Sequence, residues 1–213
     1  MAGRRRRIGV FGGTFDPPHL GHRSVALDVA DVLDLDEVVW IPAGDPPHKR
    51  LEQLTPAHLR LRMVRAATMG EPRFSVSEIE VNREGPSYTV DTLRALRSKE
   101  PKADLYLIVG IDQYRTFDTW RAPEEILTLA SLAVMDRGGE SLRRDIDAED
   151  TARRPNSLHL PPGTVISVPV KRIDVSSTRV RAAVDRGESI VALVPRAVAR
   201  IIEAEGLYRR VDR

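Results

Sequence analysis

The chain has 213 residues, with 33 basic against 31 acidic side chains and a hydrophobic content of 41%, so it can bury a core and carries no strong electrostatic signature for nucleic acid. It contains no cysteine, which excludes a disulfide framework and a thiol nucleophile. No apolar run approaches the length of a membrane span, and the Arg4–Arg7 run leads straight into a strand rather than a signal-type apolar region, so a cytoplasmic protein without a membrane partner is expected. Those arginines read as a solvated terminal segment, with nucleic-acid contact as the weaker alternative.

Ile8–Phe11 reads as a buried first strand, and the apolar positions Val25, Ala26, Val29, Ala30 and Leu33 give the following segment the period of an amphipathic helix. Between them stands Gly12-Gly13-Thr14-Phe15-Asp16-Pro17-Pro18-His19-Leu20-Gly21-His22. The two glycines allow a sharp turn and close approach to a ligand, the prolines hold the chain out of the helix until about Leu20, and a helix start favours phosphate. His19 and His22 are three apart and fall on one side of a helical turn. With Asp16 nearby the same spacing also suits a metal site, although a zinc centre needs further ligands.

Further along, Glu37–Ala43 reads as the second strand and Gly44–Leu54 as a proline-rich basic loop. Thr55 is expected to cap a helix that opens at Pro56 and stops before Gly70. Phe74–Val81 reads as a strand, and Ser87 as the cap of a helix reaching about Glu100. Leu105–Val109 is an apolar strand ending at Gly110. A helix over Glu124–Ala130 precedes a strand at Leu132–Met135. Gly138–Gly163 reads as a surface insertion or mobile loop within a single domain spanning residues 1–213. Val165–Val168 is a strand, and Ser177–Asp185 and Pro195–Glu205 are helical. This alternation predicts an α/β fold, a doubly wound parallel sheet with helices on both faces and a helical C-terminal segment.

Neither GxxxxGK[ST] nor a GxGxxG after the first strand is present. The Gly12–His22 run instead resembles the signature of the HxGH nucleotidyltransferases, which have a Rossmann-like fold. Val175-Ser176-Ser177-Thr178-Arg179-Val180-Arg181 resembles the ISSTxIR motif of that superfamily. Pro46-Pro47-His48-Lys49, the run from Arg83 to Thr92, Gly110-Ile111-Asp112 with Trp120, Val194-Pro195 and Gly206-Leu207-Tyr208 are together similar to its nicotinate mononucleotide adenylyltransferase branch in bacteria.

The resemblance implies adenylyl transfer from ATP to nicotinate mononucleotide, with Mg2+ carried by the ATP and no protein cage for it. By the same resemblance His19, His22 and Arg181 act on the reacting phosphates. Gly12, Gly13, Thr14, Phe15, Gly110, Asp112, Arg137, Ser176, Ser177 and Thr178 join them around ATP. Thr14, His19, Lys49, Ser87, Tyr88, Thr89, Asp112 and Trp120 hold the mononucleotide, Tyr88 and Trp120 enclosing the pyridine ring. Two positions depart from the family pattern: Ile111 stands where a small residue is common, and Arg137-Gly138-Gly139 replaces Arg-Pro-Gly. Arg60 reads as a solvated surface residue. Another enzyme of the superfamily, acting on nicotinamide mononucleotide or phosphopantetheine, stays open, as does a non-catalytic nucleotide-binding regulator. The sequence carries no sign of oligomeric state.

Overall fold

The computed structural model describes residues 4–46, 54–136, 162–171 and 173–209. Six strands, β1 (Arg7–Gly13), β2 (Glu37–Pro42), β3 (Phe74–Val76), β4 (Asp104–Gly110), β5 (Ser131–Asp136) and β6 (Val165–Pro169), form one sheet in the order β3-β2-β1-β4-β5-β6. All pairings are parallel. β1 and β4 lie centrally, so both their faces are covered, which is why they read as near-continuous apolar runs.

Alternate residues feed two separate cores. Ile8, Val10, Leu105 and Leu107 pack beneath α3 (Thr89–Lys99) and α5 (Pro123–Leu129). Phe11, Trp40, Tyr106 and Ile108 pack beneath α1 (Leu20–Val32) and Val64 of α2 (Ala57–Thr68). Between β4 and α5 lie α4 (Ile111–Tyr114) and a single 3-10 turn at Phe117–Thr119. The last two helices, α6 (Ser177–Asp185) and α7 (Arg196–Ala204), join α2 in a third apolar cluster containing Met63, Val180 and Val198. The doubly wound sheet and the helical C-terminal segment are as the sequence predicts.

Three local expectations are corrected. β3 ends at Val76 rather than Val81, because the chain turns through an Asn82 N–H to Glu78 carbonyl bond and tucks Glu80 inward. Thr55 does not cap α2: Pro56 occupies that position, and the Thr55 N–H is donated to Asp16 Oδ2 at 3.1 Å. Ser87 does not cap α3: Tyr88 holds the cap position, and Ser87 Oγ accepts the Gly44 N–H at 3.0 Å.

The arginine run is not simply solvated. Arg4 pairs with Asp34 and Asp36, Arg5 with Asp104, and Arg6 with Glu37 and Glu100. Arg7 is buried and donates to the Leu33 carbonyl at 3.2 Å. These charges are spent on internal acids at the amino ends of β1, β2 and β4, the edge of the sheet away from the strand ends where ligands bind in such folds.

Candidate active site

The strand order reverses between β1 and β4, and the crevice at their carboxyl ends is where an open α/β sheet receives ligands. A cavity of about 440 Å³ opens there. Its walls include Gly12, Gly13 and Thr14 from the end of β1, Ser87, Tyr88 and Thr89 from the start of α3, and Trp120. Thus the mononucleotide residues expected from the β1 loop, the α3 start and Trp120 converge on one space. The Tyr88 side chain does not cap α3, and of the first-turn N–H groups that of Asp91 goes to the Tyr88 carbonyl at 3.1 Å, which leaves those of Thr89 and Val90 to meet an anion.

The histidine loop is built from both ends of the chain. His19 is the cap of α1: its Nδ1 accepts the His22 N–H at 3.3 Å, and His22 Nδ1 accepts the His19 N–H at 3.2 Å. This reciprocal capping puts the proton of each neutral ring on Nε2. The rings stack at 3.7 Å with 25° between planes. On its apolar side His22 meets the Phe15 ring edge-on at 5.1 Å. Gly21 completes the fit: a Cβ there would stand 3.0 Å from both His19 Nδ1 and Val175 Cγ1. A side chain there would push on its neighbours where the two motifs meet.

The second motif closes directly on this loop. Ser177 Oγ donates to the Pro17 carbonyl at 2.9 Å, and Arg181 Nη1 donates to the Asp16 carbonyl at 2.8 Å. Ser176 caps α6 through Arg179 N–H, and Thr178 is exposed at the first turn. Arg179 turns aside to Asp174. Leu20 N–H also reaches the Leu193 carbonyl, and Tyr208 donates to Asp16 Oδ1 at 2.5 Å. Burial first, and the hydrogen bond to Asp16 next, push the Tyr208 pKa far up, so it stays a donor.

Asp16 thus accepts the Tyr208 hydroxyl on one carboxylate oxygen and the Thr55 N–H on the other. Among the described residues no group of three or more His, Cys, Asp or Glu is placed to hold a metal ion.

Other expected residues take more limited positions. The Phe15 ring is buried beneath Gly13, so only its backbone can face a ligand. Gly110 ends β4, and its N–H is taken by Gln113 Oε1. Asp112 projects into solvent at the start of α4. Ile111 packs against the core, which accounts for its size at that position. Lys49, Arg137 and most of the 138–163 segment lie outside the described residues.

Two site residues escape a reading by sequence alone. Arg60 is not solvated but buried: its Nε and both terminal nitrogens donate to the carbonyls of Thr55, Thr14 and Gly44 at 2.9–3.0 Å. It ties the β1 loop, the β2 loop and the approach to α2 together. The signal was available, because Arg60, Met63, Val64 and Ala67 form the buried stripe of α2.

Glu80 is the second, a buried wall residue of the cavity that accepts the Thr92 hydroxyl at 2.6 Å. Burial pushes its carboxyl pKa up, while hydrogen bonds from Thr92 and Ser87 and the charge of Arg83 pull it down less strongly. The folded protein holds this proton at a pH where the unfolded chain has released it, so the group removes stability as pH rises from the ordinary carboxylate range through the folded pKa. Glu80→Gln removes that slope. The unfolding midpoint of the variant relative to the parent is expected to be higher at pH 8 than at pH 4; a difference constant across that range would show that no buried carboxyl titrates there.

These features have counterparts in known proteins. The family model described as cytidylyltransferase-like matches residues 10–183, which include the histidine loop and the second motif. The chain belongs to the cytidylyltransferase-like family. Within it, a probable nicotinate-nucleotide adenylyltransferase of Mycolicibacterium vanbaalenii is 41% identical over 97% of this chain and 94% of its own length. A protein of the same description from Acidothermus cellulolyticus is 39% identical over 100% of this chain and 99% of its own. The structure of Plasmodium falciparum nicotinic acid mononucleotide adenylyltransferase complexed with NaAD superposes with a TM-score of 0.75 at 16% identity, covering 96% of this chain and 98% of that one. At that identity the likeness is one of fold. No helix of this cytidylyltransferase-like chain, among the described residues, is long and apolar enough to cross a membrane.

Proposed function

We propose that the chain, acting as a single domain, transfers the adenylyl group of ATP to nicotinate mononucleotide, giving nicotinate adenine dinucleotide and pyrophosphate in the synthesis of NAD. The observation that carries this reading is the closure of the α6 start on the histidine loop, through Ser177 on Pro17 and Arg181 on Asp16, beside a cavity that ends at the open start of α3. One half of that arrangement suits a triphosphate and the other a flat ring bearing an anion.

In the reaction an oxygen of the mononucleotide 5′-phosphate forms a bond to the α-phosphorus of ATP, and the bond from that phosphorus to the bridging oxygen breaks. The electron pair leaves with pyrophosphate. The attacking phosphate has a second pKa of about 6 and is largely ionised at neutral pH, so no protein base is required. The protein's task is alignment and stabilisation of charge moving onto the leaving group. His22, through its Nε2 proton, and the N-terminal turn of α6 with Arg181 supply donors for it. His19 fixes the His22 ring by stacking and shared capping. The α3 start receives the nicotinate carboxylate, with Trp120 and Tyr88 flanking the ring. A divalent cation, taken as Mg2+, arrives on the triphosphate.

The test is pyrophosphate release from ATP in the presence of nicotinate mononucleotide, with phosphopantetheine in parallel. Release with the mononucleotide alone is expected. Release with phosphopantetheine instead would move the chain to another branch of the family, and release with neither would overturn adenylyl transfer.

A further inference from the structure

The cavity wall carries one cation among the described residues, Arg121, which lies next to Trp120 but has no part in the reaction as set out above. Its guanidinium carbon stands 4.5 Å over the centroid of the Tyr88 ring. Tyr88 holds the cap position of α3, so this cation sits beside the same open helix start that faces the cavity.

The group is held loosely. Its ion pair with Asp91 Oδ2 is long, at 3.9 Å, and Asp91 Oδ1 is already taken by Arg94 at 2.7 Å. No hydrogen bond from the guanidinium occurs among the described contacts, so its N–H donors remain for a ligand. Its backbone, in contrast, is fixed. Ala122 follows it at a φ of +51°, a left-handed conformation that a residue with a side chain adopts at a cost, and Pro123 then opens α5.

Two pyridine mononucleotides compete for such a cavity, one bearing a carboxylate and the other an uncharged carboxamide. The one acid in the wall, Glu80, cannot favour the carboxylate, and its oxygens are engaged by Thr92 and Ser87. A planar guanidinium with spare parallel donors is matched to a carboxylate and gains little from an amide.

We propose that Arg121 determines specificity, selecting the carboxylate over the carboxamide form of the mononucleotide by pairing with the carboxylate at the α3 start. This rests on the adenylyl-transfer reading. Tyr88 acts as the platform that holds the guanidinium in place.

The experiment compares kcat/KM for nicotinate and nicotinamide mononucleotides in the parent, Arg121→Ala and Arg121→Lys, with calorimetric binding of each mononucleotide alone as a second readout. For Arg121→Ala, kcat/KM with the nicotinate form is expected to fall about 10–100-fold, on the scale of one charge-assisted hydrogen-bonded pair. The loss should sit in KM and in the measured affinity, and the nicotinamide form should change less than about threefold. Arg121→Lys keeps the charge without the fork and is expected to fall between the parent and the alanine variant. Equal losses with both mononucleotides, or no loss with either, would overturn the assignment while leaving adenylyl transfer in place. A parent protein that turns over neither mononucleotide would overturn adenylyl transfer itself, and this inference with it.

Discussion

His22→Ala is expected to lower kcat by about 10²–10³-fold, the scale of losing one positioned donor to a developing oxyanion. On the proposed mechanism KM for ATP should move far less, because the α6 start and Arg181 are left in place. The substitution also removes half of the reciprocal cap at the α1 start, a loss of about 0.5–2 kcal/mol that lowers the unfolding midpoint without abolishing the fold. The two effects separate in one set of measurements: single-turnover rates at saturating substrates against urea unfolding. A variant that is less stable but retains its turnover would assign His22 to capping alone and transfer the oxyanion role to the α6 side of the site.

Arg60→Ala is expected to produce the larger loss of stability. The substitution leaves the carbonyls of Thr14, Gly44 and Thr55 without the donor that a buried side chain supplied, and it strips a countercharge from near Asp16. About 3–5 kcal/mol is the scale of removing one member of such a buried charged arrangement. Against a total of about 5–15 kcal/mol for a typical domain, that is enough to leave the chain partly unfolded at physiological temperature. Arg60→Lys should recover only part of the loss, since one ammonium cannot span three separate carbonyls. Equal urea midpoints for parent and alanine variant would contradict the bracing role.

The parts of the site that were legible in the sequence are those made by neighbours along the chain. The strand, turn and histidine helix fit within the stretch from Arg7 to Val32, and glycine, proline and histidine announce them locally. The α6 motif was recognisable as a string, but its closure on Asp16 and Pro17 is a contact across more than 150 positions that no local pattern encodes. Ser87 shows the same limit from the other side. A serine at the start of a helix reads as a cap, yet its hydroxyl is used by Gly44, 43 residues away. The overrun of β3 came from Ile79 and Val81, whose alternation with Glu78 and Glu80 imitates a strand. In the folded chain that segment turns, and Glu80 becomes part of the cavity wall. Arg60 lay in plain view on an apolar stripe, where a charge is a signal of buried carbonyls to be satisfied.

The hydroxyl of Tyr208 reaches the Asp16 carboxylate across 192 positions of sequence. At about 5–20 residues per second, a ribosome delivers the histidines roughly ten seconds or more before the tyrosine that clasps their loop. Until then the histidine loop lacks this clasp. Translation thus carries a built-in delay: the fastening of this loop arrives only with the final turns of the polypeptide, and a product cut short before α6 would lack the Ser177, Arg181 and Tyr208 contacts that close it.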